Sequence, residues 1–439
     1  MLNREVFDRF VELFRVSFDP EVDENRNNYG DSYSRIRNQN RTAVFCYLND
    51  TQITQGAAFP GHITTRFRAD YLKNKLDLCT HLVFGAAYVT YEGNVRPFNP
   101  DRLTDQSGDG LSFNELGNLK SQRPGLEIIL SIAGDPTVYS QVARQRQNFV
   151  TQIRNLMNLY KFDGVNIDWR YPGRREDPDQ DRKNFKDMIR DLRTMLRGEG
   201  KSLMASITHQ SQGLRDGYDF TNDLLEHVDY WLIMAFEYFN HQSNKIGANA
   251  PIRSKEPFGV EKSIYELKNK FGEHSFRLIL AVPFYGKQYQ LRNRLSRDYE
   301  SPLGKDFINN HAPAESVMFP YREICKKLNS NHWRQGYDSD AGTAYAVHET
   351  SAIVYDDTES VRAKVRLALQ NGLGGVMAYS VDMDDYTGSC SQQDRCQQFP
   401  LLQAMHDAVQ RGSSSSLAPS RISLLMAILF TVALIKMRS

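Results

Sequence analysis

The chain has 439 residues, of which 40% are hydrophobic, and this is enough for one large domain with an insertion or for two domains. Its 54 Lys and Arg residues are balanced by 53 Asp and Glu residues. A chain without a basic surplus has no electrostatic basis for binding nucleic acid, so we exclude a nucleic-acid partner.

Residues 1–40 predict a loosely ordered amino-terminal extension. The segment contains no uninterrupted apolar core of the signal-peptide type. Its apolar residues form a helical stripe with charges between them, made of Val6, Phe7, Phe10, Val11 and Phe14. Either the start of the chain is mis-predicted, which we favour, or the protein is not exported by the usual route.

Short apolar runs of strand length recur along residues 41–407, with helix-length stretches between them. Eight runs are candidate strands: Ala43–Leu48, Thr80–Ala86, Glu127–Ile132, Asp163–Asp168, Ser202–Thr208, Tyr230–Phe236, Arg277–Pro283 and Gly374–Tyr379. This alternation predicts an α/β fold, a (β/α)8 TIM barrel. Residues 287–350 are too long for one crossover helix, so they predict an α+β module inserted between strands 7 and 8.

The carboxyl terminus predicts a linker at residues 408–421 and a hydrophobic tail at residues 422–439. The tail has an apolar run of only 14 residues, Ile422 to Ile435, whereas a spanning helix needs about 20. Small residues and a polar spacer before such a run are typical of a glycolipid-anchor signal. The basic end favours a short membrane span instead. Either alternative predicts an extracellular protein attached to the cell surface.

The run from Asp163 to Pro172 resembles the signature D-G-x-D-x-D-W-E-Y-P of glycoside hydrolase family 18, the chitinases. Six further segments match family patterns in the correct order: Cys79–Phe84, Leu130–Gly134, Val282–Gly286, Tyr321–Cys325, Gly372–Met377 and Asp382–Asp385. The resemblance covers the predicted barrel from end to end and implies the same fold.

The resemblance implies a chemistry in which one glutamic acid protonates the glycosidic oxygen. The substrate's own N-acetyl oxygen is the nucleophile, and an aspartate two residues before the glutamate holds it. In this chain the glutamate position is Arg170, and the middle aspartate is Asn166. A guanidinium is always protonated near neutral pH and cannot act as an acid. The sequence therefore predicts a pseudoenzyme in which Asp168 pairs with Arg170, although Arg170 could instead receive an anionic ligand.

Strand alternation orients these side chains. Residues 166, 168 and 170 are expected to face the barrel lumen and its mouth, and Trp169 to face the surrounding helices. Active sites of this fold lie at the carboxyl ends of the strands, which places residue 170 at the chemical centre.

The predicted walls of the site also differ from the family pattern. Ala86 and Asp135 stand where the family usually has aromatic residues, and Phe236-Glu237 stands where it has Tyr-Asp. Tyr379 replaces a tryptophan at the base of the pocket. Aromatic rings that remain could be sugar contacts or simply core packing. The expected ligand-binding residues are Tyr47, Trp169, Tyr285 and Tyr379.

Three functions are compatible with this pattern. The first is binding of chitin or N-acetylglucosamine oligomers at the cell surface, with a lectin-like or signalling role. The second is a scaffold for a cell-surface protein, whose pocket is sealed by Arg170 against Asp168 or Glu237. The third is a residual or repurposed chitin hydrolase with Glu237 as the acid. We expect no cofactor and no metal, because no phosphate-binding or dinucleotide motif is present and Asp382, Asp384 and Asp385 lack the spacing of a known calcium site.

The cysteines have no zinc-site spacing. Cys46 and Cys79 lie on consecutive predicted strands, and the resemblance to secreted chitinases implies that they form a disulfide. It also implies a bridge from Cys325 to either Cys390 or Cys396. The alternative is a cytosolic protein with five unpaired cysteines. Glycosylation motifs that favour the secretory route begin at Asn40 and Asn49.

Overall fold

The computed structural model describes residues 42–50, 53, 67–104, 108–173, 177–209, 217–239, 245–296, 300–308, 318–329, 332–390 and 397–416. The predicted amino-terminal extension, Asn40, Cys396 and the predicted hydrophobic tail lie outside these residues. Within the described ranges, none of the helices is long and apolar enough to cross a membrane.

The described residues form fourteen strands: β1 (Ala43–Asn49), β2 (His81–Val89), β3 (Val95–Pro97), β4 (Glu127–Ala133), β5 (Gly164–Asp168), β6 (Ser202–Thr208), β7 (Tyr230–Met234), β8 (Leu278–Pro283), β9 (Tyr285–Gln290), β10 (Phe319–Pro320), β11 (Arg334–Asp338), β12 (Thr343–His348), β13 (Ser351–Tyr355) and β14 (Gly375–Tyr379).

Eight of these strands form a closed parallel barrel. The order around it is β1, β14, β8, β7, β6, β5, β4, β2, and β1 pairs with β2 to close the ring. The strands are apolar runs without alternation because a parallel barrel buries both faces of each strand, and every residue of β5, β7 and β8 is buried. The predicted (β/α)8 fold is confirmed.

Helices surround the barrel and present apolar stripes to it: α1 (Ala69–Lys73), α2 (Phe113–Asn118), α3 (Pro136–Arg144), α4 (Gln147–Tyr160), α5 (Pro178–Arg197), α6 (Asn222–His227), α7 (Val260–Phe271), α9 (Thr358–Gln370) and α10 (Pro400–Ser416). The helix α8 (Tyr321–Leu328) lies against β9 and β10. In α4 the buried residues Phe149, Ile153 and Met157 recur every four positions, so they share one face. This helix ends at Lys161, whose φ of 58° stops the helical turn.

Between β8 and β14 the chain forms a second sheet. Its five strands are antiparallel in the order β10, β9, β13, β12, β11, and α8 lies between β10 and β11 in the chain. The sheet has a hydrophobic cluster of its own, in which Leu291, Val347 and Val354 pack with Ile246 and Ala248 from the loop after β7. The barrel therefore carries the inserted α+β module of the predicted fold class.

Two disulfides connect distant parts of the chain. Cys46 of β1 bonds to Cys79, just before β2, and Cys325 of α8 bonds to Cys390, beyond β14. Both expected bridges are confirmed, and Cys390 rather than Cys396 is the partner of Cys325. The alternative of five unpaired cysteines is wrong.

Candidate functional site

Arg170 and Asp168 form a bidentate ion pair at the carboxyl end of β5. The Nε of Arg170 donates to Asp168 Oδ1 at 2.7 Å, and its Nη2 donates to Asp168 Oδ2 at 2.9 Å. The Asp168 side chain is only 3% exposed, and that of Arg170 is 28% exposed. Both carboxylate oxygens of Asp168 therefore point at the guanidinium, in the parallel geometry that makes such pairs strong and specific.

The charge of Arg170 is fixed by this pairing. Burial alone would lower the pKa of the Arg170 guanidinium, but the charge and hydrogen bonds of Asp168 raise it well above its ordinary value. Arg170 therefore stays protonated near neutral pH and is unsuited to act as a general acid. Because Asp168 neutralises its charge locally, the alternative that Arg170 receives an anionic ligand is disfavoured.

Asn166 lies one pleat deeper in the lumen and is fully buried. Its Nδ2 donates to Ser131 Oγ of β4 at 2.8 Å and to Ser206 Oγ of β6 at 2.9 Å. The amide is thus held by hydroxyl groups from the two neighbouring strands. A neutral network of this kind supplies no charge next to Asp168, as the substitution of the middle aspartate predicts.

Four aromatic rings fill the barrel mouth around Arg170. The Tyr379 ring lies 4.8 Å from that of Tyr47 and 4.7 Å from that of Phe236, and the Phe236 and Tyr285 rings are 6.2 Å apart. None of the four residues is more than 5% exposed. Burial raises the pKa of the Tyr47, Tyr285 and Tyr379 hydroxyls. The rings cover one another, so in this conformation they offer no open face for a sugar to stack on.

Glu237 follows β7 and is exposed at the rim of this cluster. Its Oε1 accepts a hydrogen bond from the Tyr285 hydroxyl at 3.1 Å, and its backbone N–H donates to Asn249 Oδ1 at 3.0 Å. Its φ is +61°, a left-handed conformation that costs free energy for a residue with a Cβ and has to be supported by its surroundings. Glu237 is therefore positioned by its neighbours, but its hydrogen-bond partner is a phenol rather than Arg170.

Trp169 corrects one expectation. It faces the helices, as strand alternation predicts, and is only 1% exposed. Its ring stacks on Tyr139 of α3 at 5.3 Å and packs edge-on against Phe185 of α5. A side chain enclosed between barrel and helices cannot contact a ligand in the lumen, so Trp169 is not a ligand-binding residue.

Asp163 lies at the opposite end of β5 from Arg170. One carboxylate oxygen accepts from the Ile128 backbone N–H at 2.9 Å, and the other pairs with Lys120 at 2.5 Å. The first residue of the signature is therefore a structural acceptor at the amino end of the barrel.

Asn49 closes β1 and is 7% exposed, with its backbone N–H bound to Asp382 Oδ1 at 2.9 Å. A buried side chain leaves little room for a glycan, so this position disfavours glycosylation at Asn49.

The aspartates after β14 form a hydrogen-bonded turn. Asp384 accepts from the backbone N–H of Leu402 at 2.9 Å, and Asp385 accepts from that of Cys390 at 2.8 Å. Burial raises the pKa of Asp382 to about 6 and that of Asp384 to about 7. Across the described ranges, no group of three or more His, Cys, Asp or Glu side chains is arranged to hold a metal ion.

The sequence does not indicate two features of the site. The Tyr218 hydroxyl lies 3.0 Å from the carbonyl oxygen of Trp169 and 2.9 Å from that of Arg170, so it holds the backbone that carries the ion pair. The hairpin of β2 and β3 also exposes three aromatic side chains beside the barrel mouth: Tyr88, Tyr91 and Phe98. A glycine turn at Gly93 between two short apolar segments is the signal that could have identified this hairpin.

Known proteins are similar to this chain in both sequence and fold. The family model described as Glycosyl hydrolases family 18 matches residues 43–384. The chain is 27% identical over 367 residues to Probable chitinase 2 of Drosophila melanogaster, an alignment that covers 76% of this chain and 75% of that protein.

Two solved structures have the same fold over 84% of this chain. The immunomodulatory active chitinase TsES1 of Trichuris suis is similar at a TM-score of 0.72 and 21% identity, over 100% of its length. Human YKL-39, a pseudo-chitinase with retained chitooligosaccharide binding properties, is similar at a TM-score of 0.69 and 23% identity, also over 100% of its length.

Proposed function

The chain belongs to glycosyl hydrolase family 18, and within this family we propose that it is a chitinase-like protein that binds N-acetylglucosamine oligomers without hydrolysing them. The observation that carries the proposal is the ion pair between Arg170 and Asp168.

The pair removes two functions that the family chemistry requires. A guanidinium cannot protonate the leaving glycosidic oxygen, and loss of a general acid costs about 10²–10⁴ in rate. Both oxygens of Asp168 accept from Arg170, so the carboxylate is oriented toward the guanidinium rather than toward the acetamide of a substrate. In addition, the positive side chain opposes the cationic character that develops on the sugar in the transition state.

Support for sugar binding comes from the shared fold. Human YKL-39 is a pseudo-chitinase that retains chitooligosaccharide binding, so the family barrel without hydrolysis can still serve as a receptor. Inactivity and binding are therefore compatible in one architecture, and we extend this combination to the present chain.

The proposal is tested by calorimetric titration of the purified protein with penta-N-acetylchitopentaose, followed by chromatography of the sugar. We expect saturable heat and an intact pentasaccharide. The absence of heat at millimolar sugar would remove the binding function, and the appearance of shorter oligomers would remove the non-hydrolytic one.

A scaffold for a protein partner is the second candidate, and one observation favours it. Arg170 contacts Asp168, as a sealed pocket requires. The four aromatic residues around this pair are at most 5% exposed: Tyr47, Phe236, Tyr285 and Tyr379. The absence of heat in the calorimetric titration of folded protein would favour the scaffold function over sugar binding.

We also propose an extracellular location. The two disulfides support it, because such bonds persist in oxidising compartments. Attachment through residues 422–439, by a lipid anchor or a short span, stays a prediction. Release of the protein from intact cells by a phospholipase that cleaves glycolipid anchors would distinguish the two.

A further inference from the structure

We propose that the amino-end face of the barrel is the surface that faces the membrane, so that the barrel mouth points away from the cell. We define the amino-end face as the loops that enter the barrel strands: residues 74–80, 122–126, 159–163, 197–201, 226–229, 270–277 and 371–374. The inference rests on the proposed attachment through residues 422–439, and it names the surface that this attachment brings to the bilayer.

Helix α10 begins at the mouth end of the barrel. The backbone N–H groups of Leu401 and Leu402 donate to the Asp384 carboxylate at 3.3 and 2.9 Å. Asp384 lies in the turn that follows β14, and Asp382 of the same turn accepts from the backbone N–H of Asn49, the last residue of β1. The carboxyl ends of β1 and β14 are at the mouth, so the first turn of α10 lies there too.

Helix α10 ends on the opposite side. Gly412 packs so closely on Leu369, near the carboxyl end of α9, that an added Cβ would lie 2.3 Å from the Leu369 side chain. The chain then leads from α9 to Gly374, whose backbone N–H donates to the Leu278 carbonyl oxygen at 3.0 Å and whose carbonyl oxygen accepts from the Ala43 N–H at 2.9 Å. Leu278 and Ala43 are the first residues of β8 and β1. The carboxyl end of α10 therefore lies at the amino-end face.

The chain between α10 and the hydrophobic tail is short. Helix α10 ends at Ser416 and the apolar run begins at Ile422, so residues 417–421 separate them. A segment of this length spans at most about 20 Å when fully extended. A glycolipid anchor attached at one of the small residues 412–416 shortens the connection further. Either mode of attachment holds the amino-end face close to the bilayer.

The side chains of the amino-end face suit a lipid surface. Leu159, at the end of α4, is 65% exposed, which is unusual for a large apolar residue. Five charged side chains of this face are exposed: the bases Lys161, Arg197 and Lys270 and the acids Asp77 and Glu273. Long basic side chains reach the phosphate groups of a membrane interface while their stems stay with apolar neighbours. An exposed leucine beside a surplus of bases therefore fits the outer layers of a bilayer.

The orientation restricts the ligands that can reach the mouth. Helix α10 has 17 residues and is about 25 Å long, and it runs from one end of the barrel to the other. The barrel mouth therefore lies about 25 Å further from the bilayer than the amino-end face does. Short glycolipids of the same membrane cannot span this distance. An N-acetylglucosamine oligomer reaches the mouth from the surrounding medium or from a facing surface.

The test is resonance energy transfer on cells that express the full chain, from a dye on the protein to a lipid acceptor in the outer leaflet. p-Azidophenylalanine replaces one exposed residue at a time and carries the dye: Gln122 on the amino-end face, Tyr265 midway along α7, or Tyr91 beside the mouth. We expect transfer to fall in that order, about twofold or more from Gln122 to Tyr91, because Tyr91 is about 25 Å further from the lipid. Tyr265 is the matched control for Tyr91, since both are exposed tyrosines, at 66% and 51%.

The outcomes separate the orientation from the attachment on which it rests. Equal transfer from the three positions, or the reverse order, overturns the orientation and leaves the attachment intact. No transfer from any position, with folded protein recovered away from the membrane, overturns the attachment and the orientation together. Sugar binding is measured separately by the calorimetric titration.

Discussion

At the scale of single residues, the ion pair between Arg170 and Asp168 connects the sequence pattern to the geometry of the barrel mouth. Strand alternation predicts that positions 168 and 170 share a face, and the two side chains meet there at 2.7 and 2.9 Å. A carboxylate that is 3% exposed needs a partner, because an unpaired buried charge costs several kcal/mol. Arg170 is thus a structural element of the closed site.

Reversal of the two signature substitutions should restore little activity. We expect the double variant Arg170→Glu with Asn166→Asp to remain about 10²-fold or more below a family chitinase assayed in parallel with a fluorogenic chitobioside. The physical reason is that the rings of Tyr379 and Phe236 stay packed at 4.7 Å across the centre. Ordinary chitinase rates in this variant would show that the walls matter less than we argue.

Removal of the carboxylate should destabilise the fold measurably. Asp168→Asn leaves the Arg170 guanidinium without its charged acceptor, and we expect the free energy of unfolding in urea to fall by about 2 kcal/mol. The matched control is Asp70→Asn, which removes an exposed pair with Lys73 and should cost less than about 1 kcal/mol. Equal, small losses in both variants would contradict a structural role for the site pair.

At the scale of elements, α10 begins against a buried carboxylate. Asp384 accepts from the backbone N–H groups of Leu401 and Leu402 at the start of this helix, where a negative charge is favourable. Burial nevertheless raises the pKa of Asp384 to about 7, although these N–H groups act in the opposite direction. The contact ties α10 to the turn after β14, and its strength depends on pH.

The raised pKa of Asp384 predicts how the free energy of unfolding changes with pH. In the unfolded chain Asp384 loses its proton near pH 4, and in the folded protein near pH 7. Unfolding therefore releases a proton between these values, and the stability due to this group is lost as pH rises through the window. Relative to Asp384→Asn, wild type should lose at most about 1.4 kcal/mol per pH unit from pH 4 to 7.

Urea unfolding at four pH values measures this difference, with Asp101→Asn at an exposed position as the control. A difference between wild type and Asp384→Asn that is constant across the window would refute the coupling.

The strands were the most predictable elements. All eight candidate runs became barrel strands, because a strand buried on both faces is a continuous apolar run that sequence reveals directly. The ion pair and the Cys46–Cys79 disulfide were equally predictable, since each follows from alternation along one strand or from the family resemblance. For Cys325 the sequence left two partners, Cys390 and Cys396, and the structure has Cys390. The closure of the barrel mouth was not predictable, because Tyr47 and Tyr379 meet across 332 positions of chain, and only side-chain packing decides whether such rings are exposed.

At the scale of the whole molecule, the chain keeps the family barrel and replaces its centre. The eight parallel strands, the inserted sheet and the disulfides preserve the architecture, while the ion pair and the four packed rings occupy the place where a sugar linkage would be broken. The aromatic surface that remains open lies to one side, on the β2–β3 hairpin. This arrangement is consistent with the proposed binding of sugar without hydrolysis, because binding needs an exposed surface and catalysis needs a proton donor.

The most direct test of this account is hydrolysis of chitooligosaccharides by the purified wild-type protein, followed by mass spectrometry of the products. A family chitinase at the same concentration serves as the positive control, and Glu237→Gln, purified identically, reports on contaminants and on the remaining acid at the rim. We predict no product above the protein-free rate in either preparation. Robust cleavage by wild type that disappears in Glu237→Gln would contradict the account.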